Sequence, residues 1–300
     1  MAGVSELLQE AKRKIAEGEF EEAVGILTKA MELEPNHVAP HFLRGVARLN
    51  DGQPELAVED LSAAIGLVPE YAPSYFKRAL AYIDLERYGE ALVDLNNAIK
   101  IDSELAAAYR NRGLVQMYLG EYERASEDVM QAIKLEPAYA GNYFYLGILN
   151  TRRYNGEEAL KNLNKMLELE WDYAGGYYYC GVAYANRQSN EQAIGALSKA
   201  IEKDPGFAGS YFVRGLCQMD MQSYGGAIED FNRAIELDPN YGVAYDLLKL
   251  ASSKKRITKI FINVTKCPQC GMAIDTRQAG DGGVLKCPHC NEILRIYENI

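Results

Sequence analysis

Small and apolar residues return along this chain every 34 positions. Alanine stands at Ala23, Ala57, Ala91, Ala125, Ala159, Ala193 and Ala227. Twelve positions before each is a small residue: Ala11, Gly45, Ala79, Gly113, Gly147, Gly181 or Gly215. Four positions after runs an apolar column, Leu27, Leu61, Leu95, Val129, Leu163, Leu197 and Phe231, and seven after comes alanine again, except at Met166. Inside a repeat, Tyr109, Gly113 and Gln116 recur at helical spacing, as do Ala125, Val129 and Ala132. The pattern therefore predicts two helices per repeat, joined by a turn near Gly18, Gly52 or Gly120. Proline closes five repeats, at Pro35, Pro69, Pro137, Pro205 and Pro239, while Ser103 and Trp171 stand there in the other two.

Small residues at the crossings let two helix backbones approach, but a single helix pair cannot bury its apolar face alone. Seven abutting pairs must stack, with boundaries at 4–37, 38–71, 72–105, 106–139, 140–173, 174–207 and 208–241. Residues 242–256 begin an eighth first helix with Tyr245, Leu247, Leu248 and Leu250, then turn polar, as the end of a stack requires. The columns resemble the tetratricopeptide repeat (TPR) family over Val4 to Tyr241. That resemblance implies an all-α, right-handed solenoid of seven helix pairs plus a capping helix, over residues 4–256, with the first helix of each pair lining a groove.

A second domain is expected over residues 257–300. The basic run Lys254, Lys255, Arg256 forms a hinge, and Ile257 to Val264 alternates as a strand would. Then come Cys267-Pro268-Gln269-Cys270 and Cys287-Pro288-His289-Cys290, separated by residues 271–286. Two C-P-x-C pairs at this distance have the spacing of a tetrahedral four-thiolate zinc site, and Ala279 to Gly283 suits the bend of a hairpin. The stretch resembles a small prokaryotic zinc ribbon, which implies one structural Zn2+ held by Cys267, Cys270, Cys287 and Cys290. A rival reading is thiol–disulfide exchange at Cys287-Pro288-His289-Cys290. Such chemistry needs a helix N-terminus and a sheet of its own, which so short a tail does not supply.

Charge divides the chain the same way. Lys and Arg number 23 against 38 Asp and Glu over residues 1–248, a net −15, and 9 against 4 over residues 249–300, a net +5. Nucleic acid is thus disfavoured along the solenoid and left open for the tail, where Lys254, Lys255, Arg256, Lys259 and Lys266 gather. No run of about eighteen apolar residues offers a membrane span. Met1 to Gln9 lacks a basic region followed by an apolar one, so a cytoplasmic protein is expected, in which Asn263-Val264-Thr265 carries no glycan. Nucleophile-elbow and phosphate-loop patterns are missing, His37 and His41 flank a repeat boundary, and Cys180 and Cys217 sit where buried small residues belong. The expected protein is not an enzyme.

Binding remains, and comparison among the repeats narrows it. Arginine precedes the small residue at Arg44, Arg78, Arg112 and Arg214, and aspartate follows sixteen positions later at Asp60, Asp94, Asp128 and Asp230. Repeats one, five and six lack both, having Glu10 with Ile26, Leu146 with Asn162 and Cys180 with Ala196. Residues kept or lost together are expected to meet, here as an exposed or partly buried ion pair between the two helices of a repeat. Repeats five and six also gain aromatics: Tyr143, Phe144, Tyr145, Tyr173, Tyr177, Tyr178, Tyr179 and Tyr184. Three consecutive aromatics on one helix cannot all face one core. In the family's frame, a groove with apolar anchors is expected at Phe144, Tyr145, Ile148, Tyr178, Tyr179, Val182, Phe212 and Leu216, holding an extended or helical peptide. The alternative is that these columns only pack first helix on first helix. Two function classes follow: an interaction scaffold binding a protein or peptide partner, and a nucleic-acid-associated adaptor acting through the basic tail.

Overall fold

The computed structural model describes residues 3–169 and 172–252, and the backbone of 284–286 and 293–295. Fifteen helices occupy the described chain: α1 (Val4–Glu17), α2 (Phe20–Leu33), α3 (Val38–Asn50), α4 (Pro54–Leu67), α5 (Ala72–Asp84), α6 (Tyr88–Ile101), α7 (Ala106–Tyr118), α8 (Tyr122–Leu135), α9 (Ala140–Arg152), α10 (Gly156–Glu168), α11 (Ala174–Asn186), α12 (Asn190–Lys203), α13 (Ala208–Asp220), α14 (Tyr224–Leu237) and α15 (Gly242–Ser252). They are the seven helix pairs and the cap that the periodicity predicts. Two short strands, β1 (Val284–Lys286) and β2 (Ile293–Arg295), pair antiparallel with Lys286 opposite Ile293. The expected zinc ligands Cys267, Cys270, Cys287 and Cys290, and Trp171, lie outside the described residues.

The described helices fall into two compact blocks that divide after Gln116. In the first, α1 to α6 pack each on the next, and α1, α3 and α5 also touch one another in series. In the second, α8 to α15 repeat the arrangement, with α9, α11 and α13 as the touching series. Within each block the first helices of the pairs thus form a common layer.

The 34-residue columns are the contacts that make this possible. Ala23, Ala57, Ala91, Ala159, Ala193 and Ala227 are wholly buried, as are Leu27, Leu61, Leu95, Leu163, Leu197 and Phe231. The small residue of the first helix exists because that apolar residue stands on it. A Cβ at Gly181 would lie 2.4 Å from Leu197 Cγ, and one at Gly147 2.6 Å from Leu163 Cγ. The exception at Met166 has a matching change: Met166 is fully buried, and a Cβ on Gly176 would fall 2.1 Å from its Cε. A larger side chain on α10 is accommodated by a missing one on α11.

Each turn inside a pair holds one left-handed residue, at Gly18, Gly52, Glu86, Gly120, Tyr154, Gln188 and Gln222. The next N–H reaches back over the helix end, as from Gln53 to Arg48 O at 2.8 Å and Ser189 to Tyr184 O at 2.9 Å. This closes a Schellman-type cap and satisfies carbonyls the helix leaves open. Glycine meets the geometry without strain at three of the seven turns, while the others rely on the surrounding packing to hold it. The prolines after the second helices serve the next repeat too. Pro35 O accepts from His41, and Pro137 O, Pro205 O and Pro239 O accept from the hydroxyls of Tyr143, Tyr211 and Tyr245 at 3.1, 3.3 and 3.4 Å.

Candidate interaction surface of the fifth and sixth repeats

Against the paired repeats, the altered ones become legible. Arg44 grips Asp60 through Nε and Nη2 at 2.9 and 2.6 Å, Arg78 grips Asp94 at 2.7 and 2.8 Å, and Arg214 grips Asp230 at 2.8 and 2.7 Å. Each fork joins the two helices of its repeat. The aspartates are only 3, 2 and 4% exposed, so these are buried pairs rather than surface ones. The carboxylates of Asp94 and Asp230 hold Arg78 and Arg214 above the usual guanidinium range by hydrogen bonding.

Each arginine also has a partner that the sequence comparison did not single out. Nη1 donates to Thr28, Ser62 or Ser198 on the second helix of the preceding repeat, at 3.0, 2.8 and 3.0 Å, and Arg112 reaches Asn96 in the same manner at 2.6 Å. These acceptors lie sixteen residues before the arginine, mirroring the aspartate sixteen after. The triad ties each pair to its neighbour. Ser, Thr or Asn at that offset was the available signal.

In repeats five and six the rings take up three directions, as consecutive helical positions must. Tyr177 turns toward α12, where Lys199 Nζ lies 5.5 Å from its ring centroid and Asp172 stands beside its hydroxyl. Tyr178 turns to the following repeat, its ring crossing Phe207 at 5.0 Å and 90°. Tyr179 turns to the preceding one, meeting Phe144 at 5.8 Å with Arg152 against its hydroxyl. Burial pushes the phenols of Tyr178 and Tyr179 upward.

The Phe144 and Tyr178 positions belong to a ladder. Phe42 meets Tyr71 edge-on at 5.4 Å, Phe144 meets Tyr173 at 5.4 Å, and Phe212 meets Tyr241 at 4.6 Å. In each case a first-helix ring packs on the residue that precedes the next first helix. Such edge-to-face pairs contribute roughly 0.5 to 1.5 kcal/mol beyond area burial. Tyr241 is pushed up to about 12 by burial and then by Asp238.

The eight expected groove residues therefore divide. Phe144, Ile148, Phe212 and Leu216 are buried, 9, 5, 3 and 9% exposed, and they build the layer itself. Tyr145, Tyr178, Tyr179 and Val182 are partly exposed, and the exposed Arg152 lies against Tyr179 and near Tyr178. Tyr118 and Tyr173, the next tyrosines around Tyr179, are 54 and 45% exposed. Arg152 and Tyr118 were not foreseen from sequence: they lie near the ends of their helices, outside the columns that betray the packing. Cys180 and Cys217 are buried as expected, their thiols pushed up to about 12 by desolvation, which keeps them neutral and poorly nucleophilic.

No helix among the described residues is long and apolar enough to cross a membrane. Comparison with known proteins bears on the fold. The chain resembles the Cut9 and Hcn1 assembly of the APC/C at 19% identity and a TM-score of 0.68, covering 80% of this chain and 48%, about half, of that one. It resembles a tetratricopeptide repeat protein from Parabacteroides merdae at 22% identity and 0.62, covering 83% of this chain and 98% of that one. YrrB, described as a TPR protein with an unusual peptide-binding site, aligns at 23% identity and 0.54, over 64% of this chain and 99% of that one. No curated protein matches. Family models described as tetratricopeptide repeat match residues 8–72, 106–139 and 208–241, and one described as TPR repeat matches residues 79–117. With helix pairs of the same period throughout, the chain is built of tetratricopeptide repeats.

Proposed function

We propose that the chain is a non-enzymatic interaction scaffold whose first-helix layer in repeats five and six binds a protein or peptide partner. The observation that carries this reading is the set of partly exposed tyrosines on the first-helix layer, with exposed Arg152 against Tyr179 and near Tyr178, and with Tyr145 and Tyr179 both packed on Phe144. Tyrosine supplies large contact area at low conformational cost, and tyrosine and arginine are the side chains enriched where binding energy concentrates. Buried Phe144 packs on the rings of Tyr145 and Tyr179, and Tyr178 and Val182 pack on the core cluster that contains Phe212 and Leu216. The peptide-binding site named for YrrB, a protein of the same fold, favours a peptide as the ligand class. Tyr145→Ala with Tyr179→Ala is expected to lower partner capture from the cell of origin by at least tenfold, a loss of about 1.4 kcal/mol, with unchanged helical circular dichroism. Unchanged capture would remove the site.

The tail is assigned as a second docking module, a structural zinc ribbon over residues 257–300 with Cys267, Cys270, Cys287 and Cys290 as ligands. The chemistry of the donor set supports this: four thiolates in two C-P-x-C pairs suit tetrahedral zinc and leave no open coordination position for catalysis. Strands β1 and β2 flank the second pair in the chain. A segment of this length has too little core to fold alone, so a zinc free energy of about 10 to 16 kcal/mol acts as folding energy. Metal analysis of the full chain is expected to return one zinc, lost in Cys267→Ser with Cys290→Ser. A metal-free wild-type chain would reopen the redox reading. The whole protein is read as cytoplasmic.

A further inference from the structure

The triad that joins neighbouring repeats needs three side chains, and repeat six keeps only one of them. The positions equivalent to Ser198, Arg214 and Asp230 are Asn164, Cys180 and Ala196. Repeat five has lost the same pair but carries larger residues in its place, Leu146 and Asn162, and the amide of Asn162 turns back to Glu158 O at 2.7 Å. In repeat six both replacements are small. The result is an open hollow of about 330 Å³ among α10, α11 and α12, with Asn164, Cys180 and Ala196 all on its wall. Pockets of about 300 Å³ and upward are the size that takes small molecules.

The chemistry of the hollow differs from that of the intact triads. Its body is apolar: Leu167, Ala196 and the rings of Tyr177 and Tyr184 surround a floor formed by the Cys180 thiol, which is 3% exposed. Among the lining residues the one charge is Lys199. Loss of the aspartate removes the anion, whereas Lys199 stays at the rim. The matching cations of the flanking repeats are neutralised, Lys165 by Glu168 at 3.0 Å and Arg233 by Glu236 at 2.8 Å. Among the described residues, Lys199 has no salt bridge: its cation–π contact is the ring of Tyr177, and the exposed Asp172, which acts on it from farther away, is itself paired with Lys203. A cation brought here would meet Lys199 with no buried anion, an expensive arrangement. An anion would find an ammonium, and beside it the Asn164 amide to donate a hydrogen bond.

We propose that the hollow of repeat six is a binding site for an aromatic or branched aliphatic carboxylate. The apolar body lies between Tyr177, Tyr184 and Leu167 over Cys180, and the carboxylate meets Lys199 and Asn164. This site lies toward the second helices α10 and α12, apart from Tyr145, Tyr178, Tyr179 and Arg152. The ligand is either a free small acid or the last residue of a peptide, which present the same group.

Titration calorimetry on the full chain separates these cases. Phenylacetate is expected to bind at least tenfold more tightly than phenylacetamide, its uncharged counterpart of the same shape. Lys199→Gln is expected to erase that preference. The double variant Cys180→Arg with Ala196→Asp rebuilds the pair that four other repeats carry, closes the hollow, and is expected to abolish binding while raising the melting temperature. A short peptide ending in a free phenylalanine carboxylate, against its C-terminal amide, identifies the peptide source if it binds more tightly than phenylacetate and the free-acid source if it does not. Equal binding of acid and amide, no binding of either acid, or undiminished binding by the folded double variant overturns the proposal. Should the double variant fail to fold, the acid–amide comparison on the wild type and on Lys199→Gln still decides it.

Discussion

Asp60→Ala is expected to destabilise the chain by about 3 to 5 kcal/mol, the range for breaking a buried ion pair from one side. Asp60 is 3% exposed and accepts from three donors: Arg44 Nε at 2.9 Å, Arg44 Nη2 at 2.6 Å and Arg48 Nη1 at 2.9 Å. Removing it leaves two guanidinium groups, each 16% exposed, facing one another without the anion between them. Arg48 Nε is already buried without a hydrogen-bond partner among the described residues, and what remains to that guanidinium is a long bond from Nη1 to Leu56 O at 3.4 Å. A surface pair sets the comparison. Arg13 and Glu17, 58 and 42% exposed, contribute at most about 1 kcal/mol, and Arg13→Ala should barely move a urea midpoint. If Asp60→Ala shifted the midpoint no more than Arg13→Ala does, the buried triad would be a by-product of packing rather than a fastener between repeats. Asp60→Asn should fall between them, because the amide oxygen still accepts but the charge is gone.

How far the sequence foretold this depends on how many residues a contact needs. A column such as Gly45 and Leu61 is a two-body contact repeated down the chain, and the repetition itself betrays it. The arginine–aspartate pairs were readable for the same reason, since they disappear together. Their burial was not, because it depends on a third wall, the preceding second helix carrying Thr28, Ser62 or Ser198. The tyrosine triplets could be read to diverge, from helical geometry alone. Which ring each meets could not: Tyr173, Phe207 and Tyr241 sit at the starts of other helices, and only the stacking of repeats brings them to Phe144, Tyr178 and Phe212. The hollow of repeat six is a further step removed. Sequence comparison marks the lost pair in repeats five and six alike, and the open hollow at Cys180 is seen only once the helices of repeat six are in place.

Stacked repeats also determine where damage travels, and Phe231→Ala tests this at the end of the array. Phe231 is wholly buried, lies 5.9 Å from the ring of Phe212, and fills the space over Gly215, where a Cβ would come within 2.8 Å of it. Its cluster joins Leu197 of repeat six to Ala234 of repeat seven and Leu247 of the cap. Truncating such a ring to alanine costs about 3 to 5 kcal/mol, because the lost transfer energy is compounded by a cavity that backbones held this close cannot collapse to fill. In a solenoid each repeat is stabilised by itself and by its neighbours only, so the cost should be felt locally. Hydrogen exchange is expected to show the amides of α13, α14 and α15 losing protection by about a hundredfold or more, at 1.4 kcal/mol for each factor of ten. Amides of α1 to α6 should keep theirs. Leu27→Ala, the same column in repeat one, should give the opposite distribution. Loss of protection spread evenly over all fifteen helices by either variant would show that the array opens as one cooperative block, and that the 34-residue period governs its architecture without partitioning its stability.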